Sequence, residues 1–153
     1  FEKKANLIVS NIGRDPIDRL KHDKISFTES DINSIFEQEC DIISPCALGR
    51  AINSETKKKL KCKAIIGAAN NQLDKSETAE WLKENNIFYA PDYLVNSGGV
   101  IAISCEINNS EDTLDDQLNK ISDKVLLLLK ESKKSSLSTD KIVEDLAWKR
   151  INI

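Results

Sequence analysis

Asn70-Asn71, Asn96 and the pair Gly98-Gly99 are the residues whose types and spacing point most directly to ligand chemistry. A side-chain amide both donates and accepts, which suits ribose hydroxyls or a carboxamide. Asn96-Ser97-Gly98-Gly99 reads as a turn that launches a helix. Free N–H groups at a helix start attract anions and ligand oxygens, and glycine lets a ligand approach the backbone. Taken alone, Ser-Gly-Gly reads first as an ordinary capped turn, and Asn-Asn after a strand can be a plain one. Their company gives them weight. Cys40-Asp41-Ile42-Ile43 runs into Ser44-Pro45-Cys46-Ala47-Leu48-Gly49. Ala64-Ile65-Ile66 runs into Gly67-Ala68-Ala69-Asn70-Asn71-Gln72-Leu73, and an apolar run over residues 87–95 runs into Asn96. Short apolar runs separated by helical patterns are how buried parallel strands read. In an open parallel sheet, ligands sit outside the carboxyl ends of the strands. Three such ends predict one lined crevice.

Val100 and Ile103, three residues apart on the helix expected after Gly99, share a face. Turned into the crevice, they form an aliphatic wall with no charge to meet a carboxylate; turned inward, they are core. The four cysteines (Cys40, Cys46, Cys62, Cys105) contain no CxxC, and the single His22 is far from them in sequence. They read as buried structural thiols rather than metal ligands, which predicts no metal site and a reducing, cytoplasmic setting. Lys57-Lys58-Lys59 and Lys61 read as a solvated helix face and His22 as exposed.

The elements that must position these residues follow from composition and pattern. The chain of 153 residues is long enough for one domain with a sizeable core, and its 40% apolar and 31% charged residues are a globular balance. A net charge of −3 gives no electrostatic reason to expect nucleic acid or an anionic membrane. The longest aliphatic run, residues 125–129, is far short of the roughly 18 residues of a membrane span. Strands are expected at residues 6–10, 40–43, 64–66 and from 87. Asn11-Ile12-Gly13-Arg14-Asp15-Pro16 is expected as the exit turn of the first strand. Helices are expected over 30–39 with Ser30 as cap, 54–61, 75–85 stopped by Asn85-Asn86, and 99–107. A long one carries Leu114, Leu118, Ile121, Val125, Leu128 and Leu129, and Ser138 caps a last one. Alternating strands and helices predict an α/β fold with a parallel sheet.

The blocks from Cys40 to Gly49, Gly67 to Leu73 and Tyr89 to Ile101 closely resemble the glutamate, leucine, phenylalanine and valine dehydrogenase family, its leucine-oxidising members above all. The likeness is near-verbatim between residues 40 and 101 and rests on helix pattern after Glu106. It implies a Rossmann-like parallel sheet with flanking helices. It also implies NAD-dependent oxidative deamination of a branched-chain amino acid to its 2-oxo acid and ammonia. Pro45, Cys46, Ala47, Leu48, Ala69 and Asn70 would line the coenzyme groove, with Asn96 near the nicotinamide. Val100 and Ile103 would contact the substrate side chain. An Ile at 103 cannot pair with a substrate carboxylate, and an unpaired buried charge costs several kcal/mol. The resemblance therefore favours leucine, isoleucine or valine over glutamate, and implies a homo-oligomer without nucleic-acid or membrane partners.

Two departures qualify these expectations. Where the family ends its second coenzyme strand with an Asp that binds the adenosine ribose, this chain has Asn11, and Arg14 is near enough in sequence to meet a 2′-phosphate. NAD is expected and NADP stays open. No GxGxxG is present, so the first strand and phosphate-binding turn are expected to be missing, along with the substrate domain and its catalytic lysine and Lys-Asp chemistry. Residues 1–153 thus read as a partial NAD(P)-binding domain including C-terminal helices. Phe1 and the next residues read as a helix end within a longer protein, and the chain alone is expected to be inactive. A non-catalytic nucleotide-binding or interaction module, or a glutamate or aromatic amino-acid dehydrogenase, are the alternatives.

Overall fold

The computed structural model describes residues 5–151, so the helix end expected over residues 1–5 lies outside the described residues except for Ala5, which is not helical. Among the described residues, five strands fall into two parallel sheets. β1 (Ile8–Val9) pairs with β2 (Thr28–Glu29), and β3 (Glu39–Ile43), β4 (Lys61–Ile65) and β5 (Phe88–Tyr89) pair in that order. Among the described residues no strand pairs with both β1 and β3, so each presents a free edge.

The strands alternate as the pleat requires. Asp41 and Lys63 project from one face of β3 and β4 and pair at 2.7 Å. Cys40 and Cys62, in register, project from the other. Ile52, Ile65, Leu82, Ile87 and Tyr89 form the core beside the crevice, with Phe36, Leu60, Cys62, Leu73 and Trp81 packed on it. Burial of each aliphatic side chain there stabilises the fold by about 1.5–3 kcal/mol. The helix α2 (Ser76–Glu84) buries Thr78, Ala79 and Leu82 and ends, as expected, at Asn85-Asn86, where Asn86 takes φ 58°. α2 packs on β5 and on α6 (Thr139–Ile151). α5 (Leu114–Ser132) packs against α3 (Asp92–Val95), α4 (Gly98–Ile107) and α6.

Several expectations are corrected. The sequence pattern left out α1 (Asp15–His22) and β2. Pro16 does not close a turn but opens α1, where its missing N–H costs nothing, and Ile17 is buried at 1% exposure. Residues 30–39 are not a helix. Ser30 extends β2, its N–H bonding the Val9 carbonyl at 2.9 Å, and Asp31 turns the chain by accepting from Asn33 N–H at 2.8 Å. That local bond competes with helix, leaving only a 3-10 turn at Ile35–Glu37. The basic stretch is likewise a 3-10 turn, Thr56–Lys59, with Lys61 already in β4. Lys57 lies over the Trp81 ring at 5.2 Å and Lys59 pairs with Glu37 at 3.0 Å. The apolar run 87–95 is not one strand: β5 stops at Tyr89, and Pro91 opens α3. Ser138 does not cap α6 through its side chain. Its carbonyl accepts from Ile142 N–H at 3.1 Å, but its Oγ is buried with no partner among the described residues.

Candidate functional site: the groove at the strand ends

The loops after β3 and β4 are stitched into one surface. Ala69 N–H donates to the Pro45 carbonyl at 2.9 Å, and Arg50 N–H to the Asn71 carbonyl at 2.6 Å. Ile52 and Leu73 add a parallel bridge behind them. Gly67 and Gly49 permit this approach. A Cβ on Gly67 would lie 2.2 Å from the Pro45 carbonyl oxygen, and one on Gly49 would lie 2.8 Å from that of Asn70. Pro45 and Ala69 are therefore buried as the seam, while Cys46, Ala47 and Leu48 (69% exposed) stand open beside it. Cys46 thus departs from the expectation of buried thiols. It sits in the open with its Sγ 3.3 Å from Ser44 Oγ.

The third expected end joins the same surface by another route. Asn96 lies between α3 and α4, and its Nδ2 donates to Asn70 Oδ1 at 2.6 Å. Asp92, on the first turn of α3, accepts from Asn71 N–H at 2.8 Å and from Tyr89 Oη at 3.1 Å. This holds Asn71 in a left-handed conformation, φ 50°, which Asn tolerates better than most residues. Burial, then the Asp92 charge, raises the Tyr89 phenol far above its usual value, so it stays a donor. Burial first, then the Asp140 charge, pushes Tyr93 up to about 12. Gln72 is fully buried behind the loop, its Nε2 donating to the carbonyls of Gly67 at 2.6 Å and Ala69 at 3.0 Å.

α4 leaves this corner with its first N–H groups uncapped by any side chain, since Ser97 Oγ donates to the Leu94 carbonyl instead. Val100 (71% exposed) and Ile103 (59%) are not core. Both stand on the open surface of the helix, and Ile107 (74%), four residues further on, extends their face. The spacing that singled out the first two reaches Ile107 as well, and the sequence reading stopped short of it.

Asn11 lies apart, two residues beyond β1. It is exposed, and its Nδ2 donates to the Gly13 carbonyl at 2.8 Å. Arg14 is not free: its Nη1 meets Glu29 Oε1 at 2.6 Å, with Lys21 at 3.7 Å from the same carboxylate. Glu29 belongs to the missed strand β2, so the sequence reading had no means of placing it here. His22 is exposed beside Asp23. Burial, then the neighbouring Cys40, pushes the Cys62 thiol up to about 11, and burial raises Cys40 too, so both stay protonated at neutral pH. Among the described residues, no cluster of three His, Cys, Asp or Glu side chains could hold a metal ion, and no helix is long and apolar enough to cross a membrane.

Parallel strands, flanking helices and hydrogen-bonded loops across the strand ends define an α/β domain of the Rossmann kind. The sequence matches the glutamate/leucine/phenylalanine/valine dehydrogenase profile over residues 3–144, and the chain belongs to that family. It is 38% identical over 152 residues to leucine dehydrogenase of Thermoactinomyces intermedius, covering 97% of this chain and 41% of that one. Phenylalanine dehydrogenase of the same organism is 36% identical over 122 residues, covering 79% and 33%. The crystal structure of L-tryptophan dehydrogenase from Nostoc punctiforme superposes with a TM-score of 0.92 at 32% identity, covering 99% of this chain and 45% of that one. The chain thus spans less than half the length of these relatives.

Proposed function

We propose that this chain is the coenzyme-binding part of an NAD-dependent L-amino-acid dehydrogenase that oxidatively deaminates branched-chain amino acids, leucine foremost. The observation that carries the reading is the corner where the hydrogen-bonded Asn70–Asn96 pair meets the open aliphatic face of α4. The donor set fits a dinucleotide. Asn70 and Asn96 offer amides to the nicotinamide ribose and carboxamide, Pro45, Cys46, Ala47, Leu48 and Ala69 form the wall, and Asn11 offers an amide to the adenosine ribose. Hydride acceptance from the substrate α-carbon is the chemistry a bound nicotinamide supplies. Val100 and Ile103 then meet the substrate side chain, and neither can pair with a carboxylate. The overall change converts the amino acid, water and oxidised coenzyme into the 2-oxo acid, ammonium, reduced coenzyme and a proton. The lysine and Lys-Asp chemistry that the family resemblance implies would come from polypeptide beyond this chain, which alone does not turn over.

The coenzyme is NAD in this reading. Glu29 occupies Arg14, the cation nearest Asn11 in sequence, and sets a carboxylate where a 2′-phosphate would have to compete for it. The leucine and phenylalanine dehydrogenase relatives agree with an amino-acid substrate.

The test is the absorbance of reduced nicotinamide produced by the complete enzyme carrying this chain, with leucine, valine, isoleucine, phenylalanine and glutamate, each with NAD and NADP. Reduction of NAD by the branched-chain substrates is the expected result. Silence from a folded enzyme would make it a non-catalytic nucleotide-binding module, and a preference for glutamate or phenylalanine would overturn the substrate assignment.

A further inference from the structure

We infer that Gln72, which stands in the Gly67–Leu73 block but has been given no role, is the positioning residue of the site: it fixes the peptide orientations of the loop after β4 and, through them, the Asn70–Asn96 pair. The geometry is independent of any ligand; that the ligand is a dinucleotide rests on the reading above.

Three successive carbonyls carry the argument. Those of Gly67 and Ala69 turn inward, and both accept from the one Nε2 of Gln72, at 2.6 and 3.0 Å. The carbonyl between them, on Ala68, turns outward and lies 3.4 Å from Asn96 Nδ2. Tying down the first and third carbonyls leaves the middle peptide facing the groove, and sets Asn70 beside Asn96. The loop has little freedom to relax otherwise. Gly67 is pressed on Pro45, Ala69 N–H is bonded to the Pro45 carbonyl, and Asn71 is held left-handed by Asp92. Gln72 is 0% exposed, and its Oε1 is buried with no donor among the described residues. An unpaired buried carbonyl is a cost that packing alone does not require, since methionine would fill nearly the same volume without it. Both hydrogens of Nε2 are what the position uses.

The experiment follows the side-chain amide resonances of Asn70 and Asn96 in the complete, 15N-labelled enzyme carrying this chain, free and during titration with NADH. In the native enzyme NADH shifts both. Gln72→Met, which keeps volume but donates nothing, shifts both resonances in the free protein and weakens NADH binding about tenfold while core resonances stay in place. Gln72→Glu sets a buried carboxyl against two carbonyls, which raises its pKa. Near pH 5 its acid form donates one hydrogen bond and recovers part of the affinity; near pH 8 the affinity falls to the Gln72→Met level or below. That pH dependence, relative to native, is the signature that a mere packing role would not produce. Native affinity and native Asn70 and Asn96 resonances in Gln72→Met would overturn the inference. A complete native enzyme whose resonances ignore NADH would overturn the coenzyme reading instead. The free-protein resonances of the variants would still decide the role of Gln72.

Discussion

Asn96 Nδ2 donates to Asn70 Oδ1 at 2.6 Å, and this contact joins the loop after β4 to the turn that opens α4. The two residues lie 26 positions apart and on different elements, so ligand groups that reach one reach the other.

Replacing either asparagine by Ala should therefore weaken NADH binding by about tenfold, and replacing both should cost little more than either alone. The coupling expected for a shared hydrogen-bonded unit is about 0.5–1.5 kcal/mol. Titrations of the two single variants and the double variant close the cycle, and strictly additive losses would mean the pair does not act together.

Glu29→Gln should release Arg14 and move coenzyme preference toward NADP by roughly tenfold, the worth of one charge-assisted contact at a partly exposed site. The ratio of NAD to NADP affinities in native and variant protein reads this directly. An unchanged ratio would place Arg14 out of reach of the ribose.

Two glycines should respond in opposite ways to the same change. Gly67→Ala drives a Cβ to 2.2 Å from the Pro45 carbonyl oxygen, and overpacking of this kind costs about 1–3 kcal/mol or more. Gly99→Ala meets nothing within 4 Å and, inside α4, should stabilise by about 0.5–1 kcal/mol. Urea unfolding midpoints of the two variants should fall on either side of native, and a neutral Gly67→Ala would deny that the two loops touch.

The chain has only two tyrosines. Tyr89 is 4% exposed, and burial raises its phenol far above the usual value. Tyr93, 54% exposed, is pushed up to about 12 by partial burial of its ring and the Asp140 charge, and adds little to stability. A phenol whose folded pKa lies above its unfolded value of about 10 holds its proton longer when folded. Its contribution is therefore complete below pH 10 and is lost as pH rises from there toward the folded values. Phenolate absorbance should stay absent through pH 10 to 11 and then rise together with loss of the fold. Titration of Tyr89 near pH 10 in folded protein would contradict its burial and the Tyr89–Asp92 arrangement.

The parts legible in sequence were those where local pattern and tertiary role agree. β3 and β4 carry aliphatic runs that end in small residues, and α2 and α5 carry helical spacing that packing then uses. Where two local signals compete, pattern misled. Residues 87–95 are apolar but for Asp92, yet Pro91 followed by that Asp92 starts a new helix, and only the Asp92 bonds to Asn71 and Tyr89 show why the chain turns there. Pro16 was read as a turn residue although it suits a first helical turn equally well. The short strand β2, mostly polar, offers no periodicity at all, and Glu29 was lost with it. Gln72 stands within the Gly67–Leu73 block, but its role is not legible there, because a buried amide bonded to carbonyls within its own loop has no sequence signature beyond its neighbours.

The division of the strands into two sheets has a mechanical consequence. β1, α1 and β2 carry Asn11, the later sheet carries Asn70 and Asn96, and no extensive packing joins the first three elements to that sheet among the described residues. A dinucleotide gripped at its adenosine end by one body and at its nicotinamide end by the other would serve as a splint across them. Ligand occupancy then tightens the joint as well as the site, and the two halves of the domain gain rigidity together in proportion to coenzyme bound.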